Sequence, residues 1–300
     1  MNGVLVIDKP AGLTSHDVVN RVRRIAQERS VGHLGTLDPM ATGVLPLVLG
    51  KFTRLAQFYL GAGKSYEGEI RFGFATDTYD AAGEPVAVVV PAALSRGDEV
   101  SVSLGQVREV AARFQGVIQQ TPPPFSAKKI AGVPAYKLAR KKQEVVLEPV
   151  TVEVEEFAIM GLEGDRACFR ARVSSGTYMR SIAHDMGRQL GVGAHLSSLR
   201  RTAVAEFDIA QAVTLEQFDA AMKEGRAAEV MVHPRCVLPE MPCVTATEEN
   251  VDRIRHGNPV NLPDMSRARL IKVFAGQTEL VCIAARIAGT LFQPKVVFIG

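Results

Sequence analysis

Polar and apolar residues alternate along three segments in the middle of the chain. From Lys64 to Phe72, apolar or small residues fall at every second position and charged residues lie between them. The segments EPVTVEVEEFAIM and ACFRARVSS, at residues 148–160 and 167–175, alternate in the same way. Because successive side chains of a strand point to opposite faces, this pattern predicts three strands that each bury one face.

Continuous apolar runs and helical stripes complete the pattern. VLVI and VLPLVLG, at residues 4–7 and 44–50, predict two buried strands. Apolar stripes at the helical period lie in residues 15–26, 54–60, 101–116 and 177–191. Ser15 is expected to cap the first of these helices and Gly191 to close the last. Strands interleaved with helices, without regular βαβ alternation, indicate an α+β main domain over residues 1–235.

The composition changes near residues 234–242. Short strands and turns follow, such as NPVNLP, RLIKVFAG, ELVCIAARIAG and PKVVFIG. Residues 236–300 therefore predict a small all-β, barrel-like module of about 60–70 residues.

Composition narrows the class of protein. Of the 300 residues, 47% are hydrophobic and 22% charged, which is ordinary for a globular protein. No apolar run approaches the roughly 18 residues of a membrane span, and the start, MNGVLVIDKP, lacks a secretion signal. We therefore expect a cytoplasmic protein with no membrane partner. The four cysteines form no C-x-x-C pair, so neither a disulfide framework nor structural zinc is expected.

Positive charge is concentrated in three sets, although the net charge is only +3. The first, in residues 121–143, contains no acid and consists of Lys128, Lys129, Lys137, Arg140, Lys141 and Lys142. The second consists of Arg180, Arg188, Arg200 and Arg201, and the third of Arg253, Arg255, Arg267, Arg269 and Lys272. One such set alone is typical of a solvated surface. Three together favour a nucleic-acid backbone as partner, without distinguishing DNA from RNA.

One acid has unusual surroundings. In GHLGTLDPMATGVL, residues 32–45, Asp38 precedes Pro39 and has glycines and small residues around it. Most Asp-Pro pairs near glycine-rich turns are simple loop or cap elements. Here the glycines let the backbone approach a ligand closely, and the small neighbours leave room for a flat substrate. Since no second acid is nearby, Asp38 would act as a nucleophile or an isolated base, not in a two-carboxylate glycosidase.

Other chemistries fit poorly. Gly50-Lys51 before Thr53 has the wrong spacing for a phosphate loop. His33 and Asp38 have no third ligand at a suitable spacing, so no metal site is expected.

Four segments match one family in the same order. They are GHLGTLDPMATGVLPLVLG, KSYEGEIRFGFATDTYDAAG, QTPPPFSAKKIAGVPAYKLAR and SSGTYMRSIAHDMGRQLGVGAHLSSLRR. Together they resemble the bacterial TruB-type tRNA pseudouridine synthases, and RIRHGNPVNL is similar to the PUA RNA-binding module that accompanies them. The resemblance implies a pseudouridine-synthase fold, with a mixed, largely antiparallel central sheet flanked by helices and loops, followed by the PUA-like module.

The resemblance also implies roles for individual residues. Asp38 matches the catalytic aspartate, Tyr66 the tyrosine that stacks on the target uracil, and Arg180 the arginine that pairs with the aspartate. Leu199 matches the residue that closes the pocket below the base, and His33 the histidine that fills the place of the flipped nucleotide. Further substrate-binding residues are expected at Lys9, Lys64, Lys128, Lys129 and Arg140. Residues 121–148 look like the inserted arm that grips the tRNA, although ARKKQ replaces a more usual Arg-x-Gly there.

The implied reaction isomerises the T-loop uridine of tRNA by base flipping, without a cofactor, a metal, a guide RNA or an obligate protein partner. We expect Arg180 to keep Asp38 anionic well below neutral pH. Three alternatives stay open: a non-catalytic tRNA-binding protein or RNA chaperone, a small-molecule hydrolase or lyase that uses Asp38, and a guide-RNA-dependent relative. Whether Asp38 attacks C1′ or C6, or only assists the departure of uracil, also stays open.

Overall fold

The computed structural model describes residues 1–86, 102–126, 128–130, 132–135, 138, 141 and 147–299. The side chains of Lys129, Ile130 and Pro134 are not among the described parts. Of the first basic set, Lys137, Arg140 and Lys142 therefore lie outside the described residues, as does the Lys129 side chain.

The described residues form nineteen strands and six α-helices. The strands are β1 Gly3–Lys9, β2 Val31–His33, β3 Thr42–Leu49, β4 Lys64–Phe72, β5 Ala75–Thr76, β6 Pro85–Val86, β7 Gly116–Gln120, β8 Lys129–Ile130, β9 Val133–Pro134, β10 Val150–Glu163, β11 Arg166–Val173, β12 Ala194–Val204, β13 Phe207–Asp208, β14 Met231–Val232, β15 Cys243–Thr245, β16 Val260–Asn261, β17 Leu270–Ala275, β18 Glu279–Ala288 and β19 Leu291–Val297. The α-helices are α1 Ser15–Ala26, α2 Leu104–Ala112, α3 Met179–Leu190, α4 Leu215–Lys223, α5 Ala227–Val230 and α6 Glu248–Arg255, and 3-10 helices span Gly50–Tyr59, Ile209–Gln211 and Pro234–Cys236.

Ten of the described strands form one large sheet. Their order is β14-β1-β3-β12-β4-β11-β10-β7, with β2 beside β3 and β13 beside β12. Neighbours run antiparallel except β3 and β12, which run parallel. The strands predicted from alternation are confirmed as β4, β10 and β11, and the two apolar runs as β1 and β3. The predicted α+β class with a largely antiparallel central sheet is confirmed.

The starts and ends of the predicted helices shift for local reasons. Thr14, not Ser15, caps α1, because the Thr14 hydroxyl accepts from the N–H of Asp17 while the Asp17 carboxylate accepts from the N–H of Thr14. The second predicted helix, at residues 54–60, lies within the 3-10 helix Gly50–Tyr59. The helix predicted over 101–116 is shorter in the structure, where α2 spans Leu104–Ala112. Gly191 closes α3 in the left-handed conformation, as predicted.

The C-terminal strands form a second sheet in the order β15-β17-β18-β19-β16, which confirms the predicted β module. Its helix α6 contradicts the expectation of an all-β module. The helix has only eight residues, most of them charged or polar, and Ile254 is its fully buried side chain. An apolar stripe of that kind is too sparse to predict a helix.

Two apolar cores lie on opposite faces of β1 and β3. One core packs the sheet against α1, α2, α3 and α4. The other joins the sheet and the 3-10 helix Gly50–Tyr59 to the C-terminal sheet. In this second core, the rings of Phe52 and Phe298 lie 5.1 Å apart, edge to face. The C-terminal sheet therefore packs directly on the back of the large sheet.

Helix α3 approaches β12 closely at Gly187. A Cβ atom at Gly187 would lie 2.1 Å from the backbone nitrogen of Ala194 and 2.4 Å from the carbonyl carbon of Gly193. These neighbours are backbone atoms that cannot move aside cheaply. A glycine is therefore required for α3 to lie where it does, with Arg180 in its first turn.

Replacement of this glycine tests the close approach. We expect Gly187→Ala to lower the free energy of unfolding by about 1–3 kcal/mol through overpacking, although alanine is the better helix former. Gly105→Ala is the matched control, because Gly105 is an exposed residue of α2 whose Cβ would meet only Ser103 Oγ, at 4.0 Å, and the variant should gain up to about 1 kcal/mol. Urea denaturation of both variants measures the difference, and a Gly187→Ala protein as stable as Gly105→Ala would contradict the packing.

Candidate active site

Asp38 lies in the loop between β2 and β3, and hydrogen bonds hold the backbone of this loop on both sides of the acid. The buried Ser15 hydroxyl donates to the Leu37 carbonyl at 3.0 Å and accepts from the Leu37 N–H at 2.8 Å. On the other side, the N–H of Ala41 donates to the Asp38 carbonyl at 3.1 Å. The backbone on both sides of the acid is thus held in place by the protein itself.

Arg201 on β12 ties the same loop to the sheet. Its fully buried guanidinium donates to the carbonyls of Gly35, Thr36 and Val44 at 3.0, 3.2 and 2.8 Å. Gly43 lies where the two segments meet: its φ is +99°, and a Cβ there would lie 2.2 Å from the Arg201 carbonyl oxygen. Only glycine fits this contact.

Lys9, at the end of β1, supports the loop as well. Its ammonium donates to the carbonyls of Pro10, Leu13 and Pro39 at 2.8, 2.7 and 3.2 Å, and its side chain is fully buried. Burial lowers the pKa of Lys9 to about 8, and the charge of Asp38 opposes this. Substrate contact by Lys9 remains a prediction; in this structure its ammonium holds the Asp38 loop, because its donors are directed at backbone carbonyls.

The guanidinium of Arg180, in the first turn of α3, lies against the Asp38 carboxylate. Nε is 2.9 Å from Oδ2, and Nη2 donates to Oδ1 at 3.1 Å. The Arg180 side chain is 5% exposed, whereas that of Asp38 is 33% exposed. The structure therefore brings together two residues 142 positions apart, with the carboxylate as the accessible partner.

Three further groups hold Arg180, and the sequence analysis missed all of them. Nη1 donates to the Thr78 carbonyl at 3.1 Å and lies 3.6 Å from the Asp80 carboxylate, while Nη2 donates to the Phe125 carbonyl at 3.1 Å. Two of these groups are backbone carbonyls, which no pattern of side chains reveals. Asp80 did carry a signal, because it is the second acid of the family-like segment TDTYDAAG.

Opposing effects act on the pKa of Asp38. Burial raises it most, and the nearby Asp80 carboxylate raises it further, whereas Arg180 and then Lys9 lower it. The result is a pKa above that of an ordinary aspartate, because loss of hydration outweighs the guanidinium. Asp38 therefore ionises at a higher pH than an ordinary aspartate.

Tyr66 lies on the buried side of β4, as alternation predicted, and is paired with Arg201 of the neighbouring strand β12. Burial raises the pKa of the Tyr66 hydroxyl, while Arg201 lowers it and the charge of Asp38 raises it. The phenol is thus protonated at neutral pH, and it is close enough to Asp38 for the carboxylate charge to affect its pKa. Tyr66, Arg201 and Asp38 form one electrostatic cluster.

His33 ends β2 on the other side of the loop. Its Nδ1 accepts a hydrogen bond from the N–H of Gly35 at 3.3 Å. Burial lowers the pKa of His33, and the charge of Arg201 lowers it further. The ring is therefore neutral at neutral pH, which suits stacking on a base.

Lys64 and Leu199 also lie near the loop. The Lys64 ammonium donates to the Ala62 carbonyl at 3.1 Å and to the Ser175 hydroxyl at 3.3 Å. Burial lowers the pKa of Lys64 to about 8, with a contribution from Arg201. Leu199 is 8% exposed and lines a neighbouring groove.

This groove has a volume of about 710 Å³ and crosses the sheet beside the Asp38 loop. Met40 and Thr42, just after Asp38 in the chain, form one part of its lining, and Ala81 and Ala82, just after Asp80, form another. The groove is therefore lined in part by residues that closely follow the two acids in the chain.

Three members of the second and third basic sets, Arg180, Arg201 and Lys272, are buried, which we did not expect. In the second set, Arg180 and Arg201 are buried, and Arg200 forms an ion pair with Asp8 at 2.7 Å. In the third, Lys272 is buried and donates to the carbonyls of Arg235 and Val237. These cations were assigned to a surface because charge alone does not reveal burial. Lys128 and Lys141, in the first set, are exposed.

Within the described residues, no group of three or more His, Cys, Asp and Glu side chains is arranged to hold a metal ion. None of the helices in the described part has both the length and the apolar character needed to cross a membrane.

Comparison with known proteins identifies the family. Residues 23–179 match the model of the TruB family pseudouridylate synthase (N terminal domain), and residues 180–240 match that of the tRNA pseudouridylate synthase B C-terminal domain. Curated relatives named tRNA pseudouridine synthase B include one from Solibacter usitatus, 47% identical over 99% of this chain and 100% of the relative. Another, from Aquifex aeolicus, is 38% identical over 98% of this chain and 99% of the relative.

Solved structures agree with the fold. An H/ACA RNP bound to a substrate RNA containing 2'-deoxyuridine includes a chain that is 25% identical, with a TM-score of 0.70 over 99% of this chain and 85% of that chain. A chain of a Cbf5-Nop10-Gar1 complex is 26% identical, with the same TM-score and coverage. The predicted pseudouridine-synthase fold is thereby confirmed, and the chain belongs to the TruB family of pseudouridylate synthases.

Proposed function

We propose that this protein isomerises a uridine of tRNA to pseudouridine, with Asp38, Tyr66 and Arg180 as its catalytic residues. The observation that carries the proposal is the ion pair in which buried Arg180 presents the more accessible carboxylate of Asp38. The relatives named tRNA pseudouridine synthase B support tRNA as the substrate.

The reaction breaks the bond between ribose C1′ and uracil N1, rotates the uracil, and joins C1′ to C5. The C5 proton is then lost and N1, released from the ribose, gains a proton, so no electrons are exchanged with a cofactor. A carboxylate beside the ribose can attack C1′ or C6, or stabilise positive charge on the sugar as an anionic uracil leaves. Asp38 serves any of these routes only when ionised, and Arg180 stabilises that form.

Base flipping follows from the position of the acid. A stacked uridine in an RNA loop cannot reach a carboxylate inside a protein cleft, so the base must leave the stack, at a cost of a few kcal/mol. We assign Tyr66 and Leu199 to the faces of the extruded uracil, since aromatic and apolar side chains commonly hold unstacked bases. The neutral ring of His33 would fill the space that the base leaves.

The T-loop uridine is the target we propose, with tRNA bound by the segment 121–148 and by the C-terminal module, residues 236–300. Exposed Lys128 and Lys141 support RNA contact in the first region. Greater identity to the bacterial synthases than to the H/ACA chains supports action without a guide RNA or an obligate protein partner. A tRNA-modifying enzyme of this kind would work in the cytoplasm. The comparisons offer no support for a purely non-catalytic RNA-binding role.

Removal of the Asp38 charge tests the catalytic assignment. We expect Asp38→Asn to bind tRNA with near-normal affinity but to form no pseudouridine, because an amide is neither a nucleophile nor an anion. Carbodiimide mapping of the tRNA detects the product, and filter binding measures affinity. Pseudouridine made by the variant would refute the assignment.

Replacement of Arg180 tests the shape of the cation. Arg180→Lys should slow single-turnover isomerisation by about 100-fold, because a compact ammonium cannot replace a planar fork that contacts Asp38 and two carbonyls at once. Arg188→Lys is the matched control: Arg188 lies on the same helix but its side chain is 72% exposed. Equal rates for the two variants would show that Arg180 acts only as a charge.

The raised pKa of Asp38 predicts a pH dependence. As the pH falls through this pKa, the carboxylate is protonated and the rate is lost, and the midpoint should lie above the ordinary value of 3.8. Single-turnover rates at saturating tRNA, measured from neutral pH downward, give the midpoint. A midpoint at or below 3.8, in a protein that is still folded, would show that Arg180 outweighs burial.

A further inference from the structure

A tight turn at residues 76–80 brings two groups to Arg180. The Thr76 hydroxyl donates to the Asp80 carbonyl at 2.7 Å, and the Thr78 hydroxyl donates to the Asp80 carboxylate at 2.7 Å. The Thr78 carbonyl and the Asp80 carboxylate then both face the same nitrogen, Nη1 of Arg180. Tyr79 lies between these two residues, so its conformation sets where both groups point.

The backbone of Tyr79 is unusual. Its φ is +65°, in the left-handed region that residues other than glycine and asparagine rarely adopt. Strained backbone of this kind persists only where surrounding contacts hold it. One such contact is the Tyr79 carbonyl, which accepts from the Leu196 N–H at 3.0 Å.

The ring of Tyr79 supplies the second contact. It stacks on the imidazole of His184, with ring centroids 3.7 Å apart and planes 10° apart. His184 follows Arg180 by four residues in α3, so the two side chains lie on the same face of the helix, one turn apart. The stack therefore joins the turn to the helix that carries the guanidinium.

His184 is suited to stacking and shows no other role in the described structure. Its buried Nδ1 makes no hydrogen bond within the part of the chain that the structure describes. Burial and the charge of Arg188 lower the pKa of His184 to about 4, so the ring is neutral at neutral pH. A neutral ring packs against Tyr79 without placing a second cation beside Arg180.

We propose that the stacked pair of Tyr79 and His184 positions Arg180 for catalysis, by holding the turn whose Thr78 carbonyl and Asp80 carboxylate bind the guanidinium. Both members are positioning residues that act through Arg180. The proposal rests on the function assigned above to Asp38 and Arg180. Without the stack, the turn relaxes from its left-handed residue, Nη1 loses its partners, and the guanidinium moves relative to Asp38.

Variants that remove a ring of the stack, compared with variants that keep one, distinguish a positioning role from a general effect on stability. Tyr79→Ala and His184→Ala should each lower the single-turnover rate by about 10- to 100-fold, because small displacements at a reacting centre are costly, and should leave the tRNA dissociation constant within about twofold. The double variant should be no slower than the slower single variant. Tyr79→Phe and His184→Phe keep a stacked pair and should keep most of the rate.

Phe58→Ala is the matched control, because it removes another half-buried aromatic ring, from the core between the two sheets. It should lower the melting temperature without lowering the rate. Normal rates in Tyr79→Ala and His184→Ala would overturn the proposal, as would an equal loss of rate in Phe58→Ala or in the two phenylalanine variants.

A second readout requires no activity, so it separates this proposal from the proposed function. The charged and titratable groups that interact electrostatically with Asp38 are Arg180, Asp80, Lys9, Tyr66, Tyr178 and Arg201. Those that face the Tyr79 hydroxyl are Asp185 and Arg188. Since Arg180 lowers the pKa of Asp38, a displaced guanidinium must raise it. Carbon-13 NMR titration should therefore give Asp38 a higher pKa in His184→Ala than in His184→Phe, two variants that both lack the imidazole. Equal Asp38 pKa values in the two variants would refute the positioning role even if the protein proved inactive.

Discussion

An almost fully buried guanidinium beside a partly exposed carboxylate determines the layout of the proposed catalytic centre. Moving Arg180 out of water is costly unless its hydrogens find partners. Two backbone carbonyls and Asp38 accept hydrogen bonds from its Nη atoms, and the Asp80 carboxylate lies 3.6 Å from Nη1. The cation is thus secured from several sides, and the carboxylate of Asp38 is left at the cleft surface, where its own burial makes ionisation harder and its partner makes it easier.

Buried cations that bind backbone carbonyls recur around this centre. Lys9 fastens the segment after Asp38, Arg201 fastens the segment before it, and Arg180 joins two distant loops. Each cation connects pieces of chain that are distant in the sequence. Such an arrangement fixes the acid before RNA binds, so little reorganisation is needed during the reaction. The stack of Tyr79 and His184, which we propose to hold the turn that binds Arg180, would fix the position of Asp38 indirectly.

Alternation predicted β4 and β11 well because it reports directly on which face is buried, whereas β12 was not predicted. The sequence also placed Asp38 in a loop, while its pairing with Arg180 came from family resemblance. The roles of Lys9, Arg201 and Lys272 were missed, since a basic residue has the same letter whether it faces solvent or a buried carbonyl. The burial of Arg201 could have been predicted once residues 199–201 were assigned to a strand, because Arg201 is two residues from Leu199 and so shares its buried face.

The most direct test is a crystal structure of the Asp38→Asn protein with a tRNA T-arm stem-loop, in which the isosteric amide marks the place of the carboxylate. The target uridine should be everted, with its C1′ or C6 within about 3.5 Å of that amide, the uracil against Tyr66, and Arg180 still bound to the carbonyls of Thr78 and Phe125. A uridine that stays stacked in the RNA, or one that binds away from the amide, would contradict a catalytic role for the Asp38–Arg180 pair.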